Sequence, residues 1–184
     1  MDARKLAKEY RRTLNEDILI YKSNIICDTI MQLRIFKETD ILYAYMDVNH
    51  EVCLKSLINK AFSMNKTVAF PKVIGKNMVF FKVNDLGELH KGYMNIPEPD
   101  VIEENIISGA GLMIMPGLAF DYKFQRAGYG AGYYDRFLAQ NTENHIFKIG
   151  VAFEKQMVDE LITDPFDIKA DMIVTENNIY TRKA

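Results

Sequence analysis

A glycine-rich segment of this chain combines the residue types that bind phosphate groups. Gly128, Gly130 and Gly132 alternate within Arg126–Arg136, and the segment leads into a predicted helix. Glycines have no side chain, so backbone N–H groups can approach an anion closely, and a helix N-terminus adds partial positive charge there. Asp135 offers a carboxylate, which is a preferred ligand of a divalent cation. The segment therefore predicts a phosphate and metal site on one loop.

Other interpretations of the three glycines are excluded or remain open. The pattern Gly128-x-Gly130-x-Gly132 lacks the third-glycine spacing of the dinucleotide fingerprint and its acidic residue about 20 positions later. The GxxxxGK[ST] phosphate loop is absent from the sequence. Taken alone, the glycines are equally compatible with a structural turn. A Gly/Tyr/Arg contact with RNA is a further alternative, which a net charge of −2 disfavours.

The elements that must position this loop alternate between helices and strands. Helices are predicted over 3–14, from a cap at Asn15, over Glu51–Met64, over about 132–140 and over about 154–162. Strands are predicted over Ile41–Tyr45, 67–70, 71–74, 78–83, 112–115, 147–151 and 172–174. This order predicts an α/β fold in which a mainly parallel sheet lies between helices. The loops after Tyr45, Met115 and Val174 would then meet at one sheet edge, where such folds bind ligands.

The overall composition fits one domain spanning 1–184, because 184 residues of which 48% are hydrophobic can build a single core. The net charge of −2 argues against a strongly basic nucleic-acid binder. No run reaches the roughly 18 apolar residues of a membrane helix, and the charged N-terminus has no apolar leader. Cys27 and Cys53 fit reduced core residues. We therefore expect a cytoplasmic protein without nucleic-acid or membrane partners.

Nearly every position from Met115 to Asp135 fits one family signature. The pattern Pro-Gly-x-x-Phe-Asp, followed by Arg-x-Gly-x-Gly-x-Gly-Tyr-Tyr-Asp, resembles that of the 5-formyltetrahydrofolate cyclo-ligases, also called 5,10-methenyltetrahydrofolate synthetases. The similarity continues in other segments, which are His50–Val52, Gly92 with Asn95–Pro99, and Lys169–Glu176. The resemblance implies a three-layer α/β/α fold of the NagB/RpiA/CoA transferase-like kind.

The resemblance also implies a reaction, its co-substrate and its metal. Family members convert 5-formyltetrahydrofolate to 5,10-methenyltetrahydrofolate while ATP becomes ADP and phosphate, and they need Mg²⁺. Phosphorylation of the formyl oxygen gives an iminium phosphate, which N10 attacks to close the ring and expel phosphate. The task of the protein is then mainly positioning and charge stabilisation. A monomer or a weak homodimer is expected.

Candidate site residues follow from the same resemblance, position by position. The catalytic positions match Arg126, Tyr134 and Asp135. The ATP phosphate loop comprises Arg126, Ala127, Gly128, Tyr129, Gly130, Ala131, Gly132, Tyr133 and Tyr134. The acidic positions linked to Mg²⁺ match Asp135 and Asp171.

The folate is expected to contact residues from several loops. Glu51 matches the pterin-binding glutamate, whose carboxylate can accept paired hydrogen bonds from an aminopyrimidine edge, and Met46 matches a neighbouring contact position. Met94 lies where some family members have an aromatic ring, and the adjacent Tyr93 can supply the stacking instead. Lys72, at a predicted strand end, is a further candidate for binding phosphate or the folate tail.

The chain departs from the family pattern in its nucleotide-binding residues. The N-terminal ATP element of the family is a lysine followed four residues later by an arginine. The arginine matches Arg4, and the lysine position falls before Met1. Two alternatives would supply the missing lysine: Arg4 and Lys8 form the pair in a shifted register, or Lys5 substitutes for the lysine. Ala131 stands where the family usually has glycine or lysine, and it would restrict the loop if its φ were positive.

Simpler structural roles stand beside these assignments. Glu51 would be an acid at the start of a helix, Asp135 a helix cap, Asp171 a solvated charge flanking a strand and Lys72 a surface lysine. Two alternative functions also remain: a relative that binds folate or nucleotide without turnover, and an RNA-contact protein.

Overall fold

The computed structural model of the chain describes residues 2–92, 95–162 and 164–182. The helices are α1 (Ala3–Thr13), α2 (Glu16–Gln32), α3 (Arg34–Glu38), α4 (Lys55–Ser63) and α5 (Tyr133–Gln140). The strands are β1 (Ile41–Tyr43), β2 (Thr67–Ile74), β3 (Asn77–Val83), β4 (His90–Lys91), β5 (Pro97–Glu98), β6 (Ile106–Ile107), β7 (Gly111–Pro116), β8 (Ala119–Asp121), β9 (Arg126–Ala127), β10 (Ile146–Val151), β11 (Met157–Val158), β12 (Met172–Val174) and β13 (Ile179–Thr181). None of the helices in these ranges has the length and apolar character that crossing a membrane requires.

A sheet of eight strands, in the order β13-β12-β10-β7-β1-β2-β3-β6, lies at the centre of the fold. The strands from β12 to β2 pair in parallel, whereas β13, β3 and β6 pair antiparallel towards the edges. The carboxyl ends of the parallel strands therefore share one edge, where the segments after Tyr43, Pro116 and Val174 leave the sheet. This confirms the predicted convergence of three loops.

Side chains alternate along the inner strands and divide the core into two layers. Leu42 and Leu112 belong to a first cluster with residues of α2, α3 and α4. The adjacent Tyr43 and Met113 belong to a second cluster, which includes Phe137 of α5. Because successive residues of a strand point to opposite faces, these two clusters lie on opposite sides of the sheet. The predicted arrangement of a sheet between helices is confirmed.

Two predicted helices differ from the structure. Helix α4 begins at Lys55 rather than Glu51, because Val52 and Leu54 are buried in the loop that precedes it. Residues 154–162 contain a short 3₁₀ turn and then β11, which pairs with β8 in a small second sheet of β11, β8 and β9. In both places the apolar spacing fits a helix, but burial in a loop or pairing with a distant strand fixes the backbone.

Strand β2 continues through Pro71, where the sequence predicts its end. Thr67–Ala69 pair with β1, and beyond Ala69 the strand pairs with β3 alone among the described strands. One side of β2 is therefore a local sheet edge at Pro71, where a missing N–H is tolerated. The hairpin between β2 and β3 turns at Gly75, whose φ is +62°, as the turn signal predicts.

Candidate active site

The first half of the family signature, Pro116–Asp121, supports the glycine-rich loop and does not form part of it. A Cβ at Gly117 would lie 2.5 Å from the Phe120 ring, so only glycine fits there. The Asp121 carboxylate is fully buried and accepts three backbone N–H groups, those of Lys123, Gln125 and Leu161. These contacts fix the β8–β9 hairpin, from which the second half of the signature leaves.

The glycine loop, Gly128–Gly132, connects β9 to α5. Gly130 and Gly132 have φ values of +96° and +64°, in the left-handed region that favours glycine. Ala131 does not have a positive φ, so its Cβ causes no backbone strain. A Cβ at Gly130 would have no atom of the described residues within 4 Å. The loop therefore presents bare backbone beside the N-terminus of α5.

Arg126, Tyr134 and Asp135 meet beside this loop. Arg126 Nη2 lies 3.1 Å from Asp135 Oδ2, and Asp135 Oδ1 accepts the Ile168 N–H at 3.0 Å. The Arg126 guanidinium lies 5.3 Å from the centre of the Tyr134 ring. Burial raises the pKa of Tyr134, so its hydroxyl stays protonated at neutral pH. Asp135 makes no capping hydrogen bond to α5, so the interpretation as a helix cap is wrong.

Asp171 forms ion pairs at the amino end of β12. Its Oδ2 accepts the Lys148 N–H at 2.9 Å and lies 2.6 Å from Lys148 Nζ, while Oδ1 lies 3.8 Å from Arg182 Nη1. Asp171 is thus paired rather than free in solvent. Within residues 2–92, 95–162 and 164–182, no group of three or more His, Cys, Asp or Glu is arranged around a metal position. Asp135 and Asp171 alone do not form a complete metal site.

A tight turn carries Glu51 to the same edge of the sheet. Asn49 and His50 have φ values of +50° and +57°, and the Glu51 N–H closes the turn by donating to the Val48 carbonyl at 3.0 Å. The Glu51 side chain folds back, so that Oε2 accepts the Val48 N–H at 3.2 Å. Because α4 begins only at Lys55, the interpretation of Glu51 as the acid of a helix start is wrong.

The Glu51 carboxylate is buried against the glycine loop. Glu51 is 4% exposed, and its Oε1 accepts the Tyr129 hydroxyl at 3.1 Å. Burial raises the pKa of Glu51, although the Val48 N–H, the charge of Arg11 and the Tyr129 hydroxyl oppose this. The loop predicted to bind phosphate and the carboxylate predicted to bind pterin are therefore in direct contact.

Helix α1 places basic side chains on the glycine loop. Arg4 Nε donates to the Gly128 carbonyl at 3.1 Å, and Lys8 Nζ lies 5.6 Å from the centre of the Tyr129 ring. Lys5 is exposed, and its side chain makes no hydrogen bond or ion pair with the described part of the chain. Arg4 and Lys8 are thus the members of the predicted set that contact the loop.

Arg11 is a buried basic residue of the site that the sequence analysis missed. It is 1% exposed, its Nη2 donates to the Tyr129 hydroxyl at 2.6 Å, and its Nη1 lies 3.6 Å from Glu51 Oε1. The spacing of three basic residues could have identified Arg11 from the sequence. Arg4, Lys8 and Arg11 are four and three residues apart, so they share one face of a helix.

The remaining predicted folate contacts lie around this centre. Met46 is half-buried just beyond β1 and packs against the first core cluster. Lys72 Nζ donates to the Pro99 carbonyl at 2.7 Å, so Lys72 is tied to another segment rather than free on the surface. Tyr93 and Met94 lie outside the described residues.

Comparison with known proteins identifies the family of this chain. The model of the 5-formyltetrahydrofolate cyclo-ligase family matches residues 2–176. The chain belongs to the 5-formyltetrahydrofolate cyclo-ligase family. The probable 5-formyltetrahydrofolate cyclo-ligase of Schizosaccharomyces pombe is 30% identical, in an alignment that covers 90% of this chain and 89% of that protein.

Solved structures agree with this family assignment. The NMR structure of Aquifex aeolicus 5,10-methenyltetrahydrofolate synthetase matches with a TM-score of 0.82 at 30% identity, covering 97% of this chain and 90% of that one. A 5,10-methenyltetrahydrofolate synthetase from Mycoplasma pneumoniae matches with a TM-score of 0.73 at 24% identity, which supports the fold. The cyclo-ligase family match extends from α1 through β12 and so includes every element that carries a candidate site residue.

Proposed function

We propose that this chain is a 5-formyltetrahydrofolate cyclo-ligase, which uses ATP to convert 5-formyltetrahydrofolate to 5,10-methenyltetrahydrofolate with release of ADP and phosphate. Beside family membership, one observation supports the proposal most directly: the Tyr129 hydroxyl joins the glycine loop to the buried Glu51 carboxylate. A nucleotide on the loop and a pterin on the carboxylate would lie side by side, as phosphoryl transfer between them requires.

The reaction must activate a formamide oxygen, which is a poor leaving group. The formyl oxygen attacks the γ-phosphorus of ATP, and ADP leaves. N10 then attacks the formyl carbon of the iminium phosphate and loses its proton. The C–O bond breaks, and phosphate is released as the methenyl bridge forms. The protein contributes by holding the reactants together and by stabilising charge on the phosphoryl oxygens.

The glycine loop and its basic neighbours would bind ATP. The bare N–H groups of Gly128–Gly132 and the N-terminus of α5 favour phosphate oxygens, and Arg4 and Lys8 add positive charge from α1. Arg126 would stabilise the transferring phosphoryl group, and its buried Nε has no hydrogen-bond partner among the described residues. The protonated Tyr134 hydroxyl would act as a hydrogen-bond donor.

The Asp135 carboxylate beside the glycine loop fits Mg²⁺, which prefers oxygen ligands and often binds one or two carboxylates together with substrate phosphates. Asp135 and Asp171 would hold the ion, and phosphate oxygens would complete the set. When bound, the ion neutralises charge on the triphosphate. The Ile168 N–H and Arg126 already orient Asp135, whereas Asp171 would have to share its carboxylate with Lys148.

Glu51 would bind the aminopyrimidine edge of the pterin. A carboxylate offers about four acceptor positions, and Val48 and Tyr129 occupy one on each oxygen. The remaining positions match the paired N–H donors of an aminopyrimidine. The rest of the folate site would be lined by Met46, Lys72, Tyr93 and Met94.

We further propose that residues 1–184 act as a single domain, in the cytoplasm, as a monomer or weak homodimer. The net charge of −2 disfavours a nucleic-acid partner, and the proposed reaction involves neither nucleic acid nor a membrane.

Methenyltetrahydrofolate absorbance provides the test. Mixing the protein with 5-formyltetrahydrofolate, ATP and Mg²⁺ is expected to raise this absorbance, and EDTA or omission of ATP should abolish the rise. Folate binding without a rise would favour a relative that does not turn over. RNA binding that weakens steeply with salt, without a thermal shift from ATP and Mg²⁺, would favour the RNA-contact alternative.

A further inference from the structure

Tyr129 lies in the loop that is expected to bind phosphate, but its side chain contacts Arg11 and Glu51. Its hydroxyl accepts a hydrogen bond from Arg11 Nη2 at 2.6 Å and donates one to Glu51 Oε1 at 3.1 Å. Lys8 Nζ lies 5.6 Å from the centre of its ring. Tyr129 therefore extends from the phosphate loop to the carboxylate assigned to the folate.

Arg11 holds the same carboxylate from a second direction. The guanidinium is 1% exposed, and Nη1 lies 3.6 Å from Glu51 Oε1. The Arg11 carbonyl accepts the His50 Nδ1–H at 2.9 Å, which ties α1 to the turn that carries Glu51.

The buried guanidinium is only partly satisfied. Nε and Nη1 of Arg11 have no hydrogen-bond partner in the described ranges. Burying unpaired N–H groups of a charged side chain costs free energy unless a nearby opposite charge compensates. The nearby opposite charge is the Glu51 carboxylate, so the cost is explained if Arg11 serves that group.

We propose that Tyr129 and Arg11 are positioning residues for the folate-binding carboxylate, so that Tyr129 serves the folate although it lies in the phosphate loop. This inference rests on the proposed function of Glu51. Tyr129 fixes the orientation of Oε1 and leaves the other acceptor positions to the pterin, while the positive charge of Arg11 favours the ionised form of the carboxylate against the effect of burial. Loss of the Tyr129 hydroxyl should therefore weaken folate capture and spare the nucleotide.

Tyr129→Phe tests the inference, because it removes one oxygen and keeps the ring. In steady-state kinetics with each substrate varied separately, the KM for 5-formyltetrahydrofolate should rise about tenfold, the size expected when a hydrogen bond to a charged group is lost. The KM for ATP and kcat should stay within about twofold of their original values. Tyr21→Phe, which removes an exposed hydroxyl on α2, is the matched control and should change nothing.

Two Arg11 variants examine the second residue. Arg11→Lys keeps a positive charge near Glu51 and should retain more folate affinity than Arg11→Met, which removes the charge at similar length. Thermal unfolding establishes that each variant is folded before kinetics are compared. Equal folate KM values for the two folded variants would contradict the role of the Arg11 charge.

Other kinetic outcomes would overturn the role of Tyr129. A higher KM for ATP with an unchanged KM for folate would assign Tyr129 to the nucleotide. Equal increases in both KM values would indicate a purely structural role in the loop, and no change in either would remove any role.

A measurement without ligands separates this inference from the proposed function. If the unmodified protein shows no turnover, the proposed function fails, and an NMR titration of the Glu51 side-chain carboxyl carbon then decides the positioning role. Tyr129→Phe should raise the pKa of Glu51, because it removes a hydrogen bond that lowers it. An unchanged pKa would overturn the inference.

Discussion

Two glutamates, Glu51 after β1 and Glu154 after β10, follow parallel strands that are separated by β7. The pKa values of their carboxyl groups are shifted in opposite directions. Burial dominates at Glu51 and raises its pKa. At Glu154, burial alone would raise the pKa, but hydrogen bonds from Thr175 and Tyr180, among others, lower it overall. The balance between burial and the number of donors therefore differs between the two positions.

The surroundings of the two glutamates show the same difference. Near Glu51, the buried Arg11 has N–H groups without partners in the described structure. Near Glu154, the Glu176 carboxylate accepts both the Glu154 N–H at 2.7 Å and Lys22 Nζ at 2.6 Å. Buried polar groups that lack partners cost free energy until a ligand satisfies them. We therefore expect the Glu51 region to serve binding and the Glu154 region to serve stability.

The largest expected effect concerns Asp135, which is paired with Arg126 beside the glycine loop. If Asp135 positions Mg²⁺ and ATP, Asp135→Asn should lower kcat by about 10²-fold or more, as for loss of a preorganised electrostatic contact. Asp17→Asn changes an exposed acid in the first turn of α2 and should leave kcat unchanged. Near-normal turnover by Asp135→Asn would remove this residue from the catalytic set.

Glu51→Gln should mainly weaken folate binding. The amide replaces one acceptor oxygen with a donor, so the KM for 5-formyltetrahydrofolate should rise about 10- to 100-fold, while the KM for ATP changes little. Kinetics with each substrate varied in turn provide the measurement. Unchanged folate affinity would rule out the assignment of Glu51 and remove the proposed difference between the two regions.

The pH dependence of folate binding should follow the charge of Glu51. Because burial raises its pKa, Glu51 takes up a proton at a higher pH than an ordinary glutamate as the solution is acidified. Folate affinity should therefore fall as the pH decreases through this raised pKa, and Glu51→Gln should lack that transition. Folate titrations of both proteins across the acidic range measure the difference, and identical profiles would contradict it.

Gly130→Ala should weaken ATP binding through backbone strain alone. With φ at +96° and open space around the Cβ position, the variant costs about 1–2 kcal/mol in the loop, which corresponds to a KM for ATP that is about five- to thirtyfold higher. Gly75→Ala introduces similar strain in the β2–β3 turn, at φ +62° and outside the site, and should spare this KM. Equal KM values for the two variants would show that the loop does not bind the phosphates.

The smallest expected effect concerns Glu154, because loss of its carboxylate should lower the stability of the fold and leave the kinetic constants unchanged. Glu154→Gln should lower Tm at pH 7 by a few degrees, since 1 kcal/mol corresponds to about 2–4 °C for a domain of this size. A lowered pKa stabilises the fold above the ordinary pKa of a glutamate, and this contribution is lost as the pH falls through the lowered value. The difference in Tm should therefore disappear in acid. A change in folate KM without a change in Tm would contradict the distinction between the regions.

The sequence by itself determined the features that depend on local pattern. The inner strands of the sheet, the cap at Asn15 and the helix after Gly132 follow from residues that are adjacent along the chain. The spacing of Gly128, Gly130 and Gly132 with Asp135 likewise indicated the phosphate loop and the family, because close backbone approach requires glycine whatever surrounds it.

Only the tertiary structure decided what surrounds each charged side chain. Tyr129 contacts Glu51, which is 78 positions away along the chain. It also contacts the buried Arg11, which is 118 positions away. The backbone of 157–158 became a strand because β8 lies beside it. Burial and hydrogen-bond partners depend on which distant segments meet, and a local pattern of residue types does not contain that information.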